Sequence, residues 1–216
     1  MNNLVGKNIK VILLDWDDNL VDTFGAKSKG HKYIANTYYG IRLTDDDIKK
    51  HWGIPHKSLI SILYDTYDHE LAMKRVLKHH AEFPKTAYPE TAEVLKTLKD
   101  NGYFVGVVTA TNRISLDYDI ESMKLTGLFD YTQTEEDTDY HKPNPKVFDP
   151  AIEWLKTHDV QLNEVLYLGD GLHDMKAALG AGFQFIGTAR GFVSVKQFNE
   201  QGTQAINHIG ELIQES

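Results

Sequence analysis

Residues 9–19 read IKVILLDWDDN, and this stretch decides the fold. Its first half is a short apolar run rich in β-branched side chains, the mark of a central parallel strand covered on both faces by helices. Its second half turns acidic at once, and Asp15 and Asp17, spaced by two, can face the same crevice. Outward from this run, similar apolar stretches recur at 103–108, 165–168 and 183–186, with a weaker one at 129–132. A helix starting near Pro89, with Ala92, Leu95 and Leu98 on one face, is expected to stop at Asn101-Gly102. Another follows His173, with Met175, Ala178 and Leu179 inward and Gly180 and Gly182 ending it. Strand alternating with helix predicts an α/β fold with a doubly wound parallel sheet.

Residues 24–85 are too many for one crossover connection and contain no convincing strand. The expectation is a helical module inserted into a core formed by 1–23 and 86–216, with hinges near Asp22-Thr23 and Pro84-Lys85. Within the module, Thr44 and Asp47 form a capping pair, Gly40 and Gly53 read as helix stops, and 71–83 reads as an amphipathic helix. Farther on, Pro150 interrupts a helix begun at Asn144, which should restart with Asp149 as its cap.

The 216 residues, 41% hydrophobic and 25% charged, have ordinary globular composition, which argues against a disordered or membrane-embedded chain. No apolar run approaches the roughly 20 residues of a membrane span. With no cysteine, disulfides, thiolate nucleophiles and zinc–thiolate sites are excluded, which is compatible with a cytoplasmic setting. A net charge of -8 without a basic stripe disfavours nucleic acid and anionic lipid as partners. A small anionic ligand would need a local cation or a few placed donors.

Four places carry chemistry, each just after a strand or on the loop leading from one, where open α/β sheets bind ligands. The first is Asp15-Trp16-Asp17-Asp18-Asn19. The second is Gly169-Asp170-Gly171-Leu172-His173-Asp174, with Asp170 and Asp174 one helical turn apart. If the two strands are neighbours, their carboxylates converge, and a bound Mg2+ would relieve the repulsion, since oxygen ligands suit that ion. A polar loop cap explains the first motif and an N-cap aspartate with a solvated partner the second, but neither explains the pair well. The third place is Thr109, followed by Ala110 and Thr111, and the fourth is Lys142. Singly, these read as a cap and a solvated lysine. His79 and His80 are adjacent on the helix expected over 71–83, cannot share a face as a metal pair would, and are expected to face solvent.

The ordered set, DxD, hydroxyl, lysine, GDxxxD, resembles the haloacid dehalogenase superfamily, specifically its phosphatases, over nearly the whole chain. The insertion looks like that superfamily's helical C1 cap on a Rossmann-like core, and the arrangement is similar to phosphoglycolate-phosphatase-like hydrolases. The resemblance implies Asp15 as nucleophile and Asp17 as general acid and base. It implies Thr109, Ala110 and Lys142 around a phosphate, and Asp15, Asp17, Asp170 and Asp174 around Mg2+, with Asp174 either direct or behind the first ligands. In similar caps a loop like 51–57 selects substrate, which would give His56 and Lys57 that role. The implied substrate is a small phosphorylated metabolite. The family usually has Gly and Thr where this chain has Asp18 and Asn19, beside the expected phosphate. A sugar-phosphate mutase of the β-phosphoglucomutase type and a weakly active phosphometabolite-binding relative share most of these features. A receiver-type signalling domain fits the insertion and GDxxxD poorly.

Overall fold

In a computed structural model, residues 5–52 and 56–214 are described; Gly53, expected to stop a helix, lies outside them, as do the side chains of His56, Lys57 and His80. Along the chain run β1 (Val11–Leu14), β2 (Val21–Asp22), α1 (Thr23–Tyr39), α2 (Asp45–Lys49), α3 (His56–Tyr64), α4 (His69–His79), β3 (Thr86–Ala87), α5 (Thr91–Asp100) and β4 (Phe104–Val108). There follow α6 (Arg113–Ser122), β5 (Tyr131–Gln133), α7 (Asp149–Thr157), β6 (Val165–Gly169), α8 (Leu172–Gly180), β7 (Gln184–Thr188), α9 (Val195–Glu200) and β8 (Ala205–Ile206). The chain divides into two compact units, Met1–Asp22 with Ala87–Ser216, and Thr23–Thr86.

The larger unit is built on a six-stranded sheet of order β5-β4-β1-β6-β7-β8, parallel throughout. All four side chains of β1 are fully buried, because Ile12 and Leu14 enter the core on one face while Val11 and Leu13 enter the core on the other. That two-sided burial is why the strand is a continuous apolar run, each buried side chain contributing roughly 1.5–3 kcal/mol over exposure. The strand order reverses at β1, placing a crevice at the carboxyl ends of β1, β4 and β6.

Helix α5 buries Thr91, Val94, Leu95 and Leu98. Ala92 is exposed, contrary to the sequence reading, because the buried stripe is one residue wider on its other side. Gly102 ends the turn with φ 84°, a left-handed backbone that suits glycine. Helix α8 buries Met175, Ala177 and Ala178, leaving Leu179 half exposed rather than inward. The weak strand expected at 129–132 forms as β5, shifted toward Gln133, and β8 was not foreseen because only two residues pair. Asp149 does not cap α7: a 3-10 turn (Pro145–Phe148) leads directly into it, so Asp149 and Pro150 occupy the first helical turn, where the missing proline N–H costs nothing.

The smaller unit has its own core of Ile34, Ile48, Ile60, Leu63, Tyr64 and Ala72. Thr44 and Asp47 cap α2 reciprocally, and Gly40 follows α1 at φ 68°. The helix expected over 71–83 is α4 followed by a 3-10 turn (His80–Glu82). His79 does not face solvent: it is buried, with Nε2 2.6 Å from the Tyr38 hydroxyl and Nδ1 2.7 Å from Glu82. Among the described residues, no helix is long and apolar enough to cross a membrane.

Candidate active site

Leu14 is in register with Val107 on one side and Leu168 on the other, so β1, β4 and β6 release their next residues at one edge of the sheet. The Asp15 N–H donates to Leu168 O at 2.8 Å, carrying the ladder one residue past the strand. The chain then turns back, with Leu20 N–H on Trp16 O and Asp18 N–H on Val21 O. Asp18 holds φ 53°, the left-handed backbone that glycine takes most easily and aspartate tolerates.

Asn19, which the sequence reading sets beside the expected phosphate, directs its amide into the fold. It is fully buried, its Nδ2 donating to Asp15 O (3.0 Å) and Leu168 O (3.4 Å) while Oδ1 accepts from Thr188 Oγ1 (2.8 Å). One amide thereby ties β1, β6 and β7 together beneath the site, and a buried polar group so satisfied is costly to remove.

Lys142 reaches into the crevice from the loop after β5 and is almost wholly buried. Its Nζ donates to Asp15 Oδ1 (2.8 Å), to the Tyr167 hydroxyl (2.5 Å) and to Val108 O (3.2 Å), and pairs with Asp174 Oδ1 at 2.7 Å. Tyr167 in turn donates to Val108 O at 3.0 Å. Asp174 is completely buried, and its second oxygen accepts from the Gly171 N–H at 3.0 Å. Carboxylate oxygens of Asp15, Asp170 and Asp174 all lie within 4.8 Å of one another.

Burial pushes Asp15 up to about 7, with Lys142 opposing and Asp174 reinforcing. Burial also pushes Asp170 up to about 9, reinforced by Asp15, Asp174 and Asp18. For Lys142, burial favours the neutral amine, but Asp15 and Asp174 outweigh it and hold the ammonium charged. One buried ammonium thus faces three carboxylates. The excess negative charge, offered entirely through oxygen donors, fits a hard divalent cation. Asp15 and Asp170 could hold such an ion, with Asp174 able to share in it only against its existing bonds to Lys142 and Gly171.

Asp17, grouped with the metal ligands on sequence, falls outside this triad; its Oδ2 accepts from Thr111 Oγ1 at 2.7 Å. Thr109 is buried at the end of β4, its N–H on Gln133 O and its Oγ1 accepting from the Thr111 N–H at 3.0 Å. Ala110 lies exposed between them. The cap candidates His56 and Lys57 have side chains outside the described residues. Sequence reasoning missed three contributors. Tyr167 carries a hydroxyl inside an apolar strand and therefore needs a partner there, which was a readable signal. Gly191 had none: a Cβ on it would fall 1.8 Å from Asp170 Oδ2, so any larger residue there would displace that carboxylate. Thr111 was noticed only as a neighbour of Thr109.

The profile of the haloacid dehalogenase-like hydrolase family matches residues 12–188, most of the chain and every residue of this crevice except Gly191. The chain belongs to this family. Among its relatives, pyrophosphatase PpaX of Bacillus cereus is 28% identical over 176 residues, spanning 81% of this chain and 80% of its own. The corresponding protein of Anoxybacillus flavithermus is 26% identical over 184 residues, covering 84% of each chain. A crystal structure from Bacteroides fragilis, described as a haloacid dehalogenase-like hydrolase, is 27% identical with a TM-score of 0.75, covering 95% of this chain and all of the other. A β-phosphoglucomutase-type structure from Thermotoga maritima shares the fold at TM-score 0.81 and 21% identity, covering 95% of this chain and 97% of its own.

Proposed function

We propose that this chain is a magnesium-dependent phosphatase that hydrolyses a small phosphorylated metabolite through an aspartyl-phosphate on Asp15. The observation that carries the reading is the buried pair of Asp15 and Lys142 at the mouth of a parallel sheet, with Asp170 close enough to share a cation with Asp15. The pyrophosphatases among the relatives support a phosphorylated substrate.

Asp15 supplies the attacking oxygen. Lys142, locked in place by Asp174 and Tyr167, offers its positive charge to the phosphoryl oxygens, and the hydroxyl of Thr109, the residue after the Val108 carbonyl that Lys142 also bonds, adds a donor. Asp17, two residues past the nucleophile and bonded to Thr111 of the loop after β4, protonates the leaving oxygen and later draws a proton from water. Mg2+ held by Asp15 and Asp170 would lower the repulsion between the nucleophile and an anionic substrate. The same reading makes residues 24–85 a C1-type cap. The test is turnover of an aryl phosphate with and without Mg2+, beside an Asp15→Asn variant. Magnesium-dependent hydrolysis lost in the variant supports the reading; equal rates for both proteins contradict it.

A further inference from the structure

We propose that Thr111 is a positioning residue for Asp17, fixing which of its carboxyl oxygens presents a proton to the leaving group. The inference rests on the phosphatase reading above and assigns a residue to it.

Thr111 Oγ1 donates to Asp17 Oδ2 at 2.7 Å, bridging loops 94 residues apart in sequence. The threonine itself is fixed from both sides. Its N–H donates to Thr109 Oγ1 at 3.0 Å, and Thr109 is anchored through its own N–H to Gln133 O. The next residue, Asn112, caps α6 by accepting from the Ser115 N–H at 2.9 Å. The hydroxyl therefore projects from a short segment pinned to β5 and to a helix start.

The terminal torsion of an aspartate side chain is soft and nearly two-fold symmetric, so sequence alone does not say which oxygen faces a substrate. A donor fixed on Oδ2 breaks that symmetry. An oxygen that accepts a hydrogen bond in this way leaves the acid proton to its partner, Oδ1. In the first displacement an oxygen of Asp15 bonds to phosphorus while the bond from phosphorus to the ester oxygen breaks. The electron pair of that bond stays on the ester oxygen, which takes the proton from Asp17 Oδ1 and departs as the alcohol. In the second, water attacks phosphorus and gives a proton to Asp17, and the Asp15 carboxylate and inorganic phosphate are released. Thr111 takes no part in either exchange of bonds; it holds the acid in line for the first.

The experiment is a series of phosphate monoesters, from aryl esters with good leaving groups to alkyl esters with poor ones, measured as kcat/KM for the unaltered protein, Thr111→Val and Thr111→Ser. This parameter reports only steps up to departure of the leaving group, where the acid acts. General acid catalysis is typically worth about 10²–10⁴-fold, so Thr111→Val should lose at least about tenfold more on alkyl than on aryl esters. Thr111→Ser, which keeps the hydroxyl, should restore the original ratio. Because the readout is a ratio between esters in one preparation, a variant that folds incompletely gives the same ratio as a fully folded one. A Thr111→Val loss equal across the series, or no loss, would overturn the proposal while leaving the phosphatase reading intact. If the unaltered protein hydrolyses no ester in an Asp15-dependent manner, the phosphatase reading falls and this assignment with it.

Discussion

Withdrawing divalent ions and raising the pH should destabilise this protein, and the acidic cluster fixes both sign and size. Asp15 is pushed up to about 7 and Asp170 to about 9, each by burial first and by neighbouring carboxylates next. Between about pH 5 and 7 the folded chain retains protons on both groups that the unfolded chain has lost; between about 7 and 9 it retains one. Where the folded state binds more protons, stability falls as pH rises, by about 1.4 kcal/mol per unit for each retained proton. Asp170 is partly open to water, so its share is discounted, leaving roughly 1–2 kcal/mol per pH unit from 5 to 7 and less above. Lys142 is raised above its ordinary range, so its contribution is fully present throughout this window and adds no slope. Magnesium binds the deprotonated carboxylates and should reverse the trend, adding about 2.7 kcal/mol at a hundredfold excess over its dissociation constant. Urea unfolding followed by tryptophan fluorescence provides the assay, because Trp16 is fully buried and directly follows Asp15 of the triad. Stability in chelator that is flat or rises from pH 5 to 9, or no gain from Mg2+ at pH 8, would refute the reasoning.

Three substitutions probe the supports of the site. Gly191→Ala drives a methyl group into Asp170 and should weaken Mg2+ binding at least about tenfold by calorimetry; unchanged affinity would remove Asp170 from the ligands. Lys142→Ala leaves Asp15 and Asp174 buried without their cation and should cost about 3–5 kcal/mol in chelator by urea unfolding, with loss of turnover. Asn19→Ala strips partners from Asp15 O, Leu168 O and the Thr188 hydroxyl, for a loss of about 1–3 kcal/mol on unfolding.

The sheet was legible because its strands are buried on both faces, which forces unbroken apolar runs such as Val11–Leu14. The positions of Asp15 and Asp170 followed from strand adjacency, since both leave the sheet beside Leu14 and Leu168. What escaped was set by tertiary packing rather than by local pattern. Ala92 and Leu179 fit the helical period but fall at the margins of their buried stripes. Asn19 looked like a site residue because it follows the acidic motif, yet its amide is spent on three strands. His79 looked solvent-facing until a tyrosine and a glutamate from elsewhere in the helical unit and its 3-10 turn closed around it. Gly191 and Thr111 act through a close approach and a hydrogen bond across loops, neither of which leaves a trace in spacing.

Rapid acid quench during turnover of a phosphate ester, followed by peptide mass spectrometry, interrogates the nucleophile itself. The account predicts a peptide containing Asp15 heavier by one phosphoryl group, present only with Mg2+ and absent in Asp15→Asn. Turnover proceeding with that peptide never modified, or with the phosphoryl group on another residue, would contradict it.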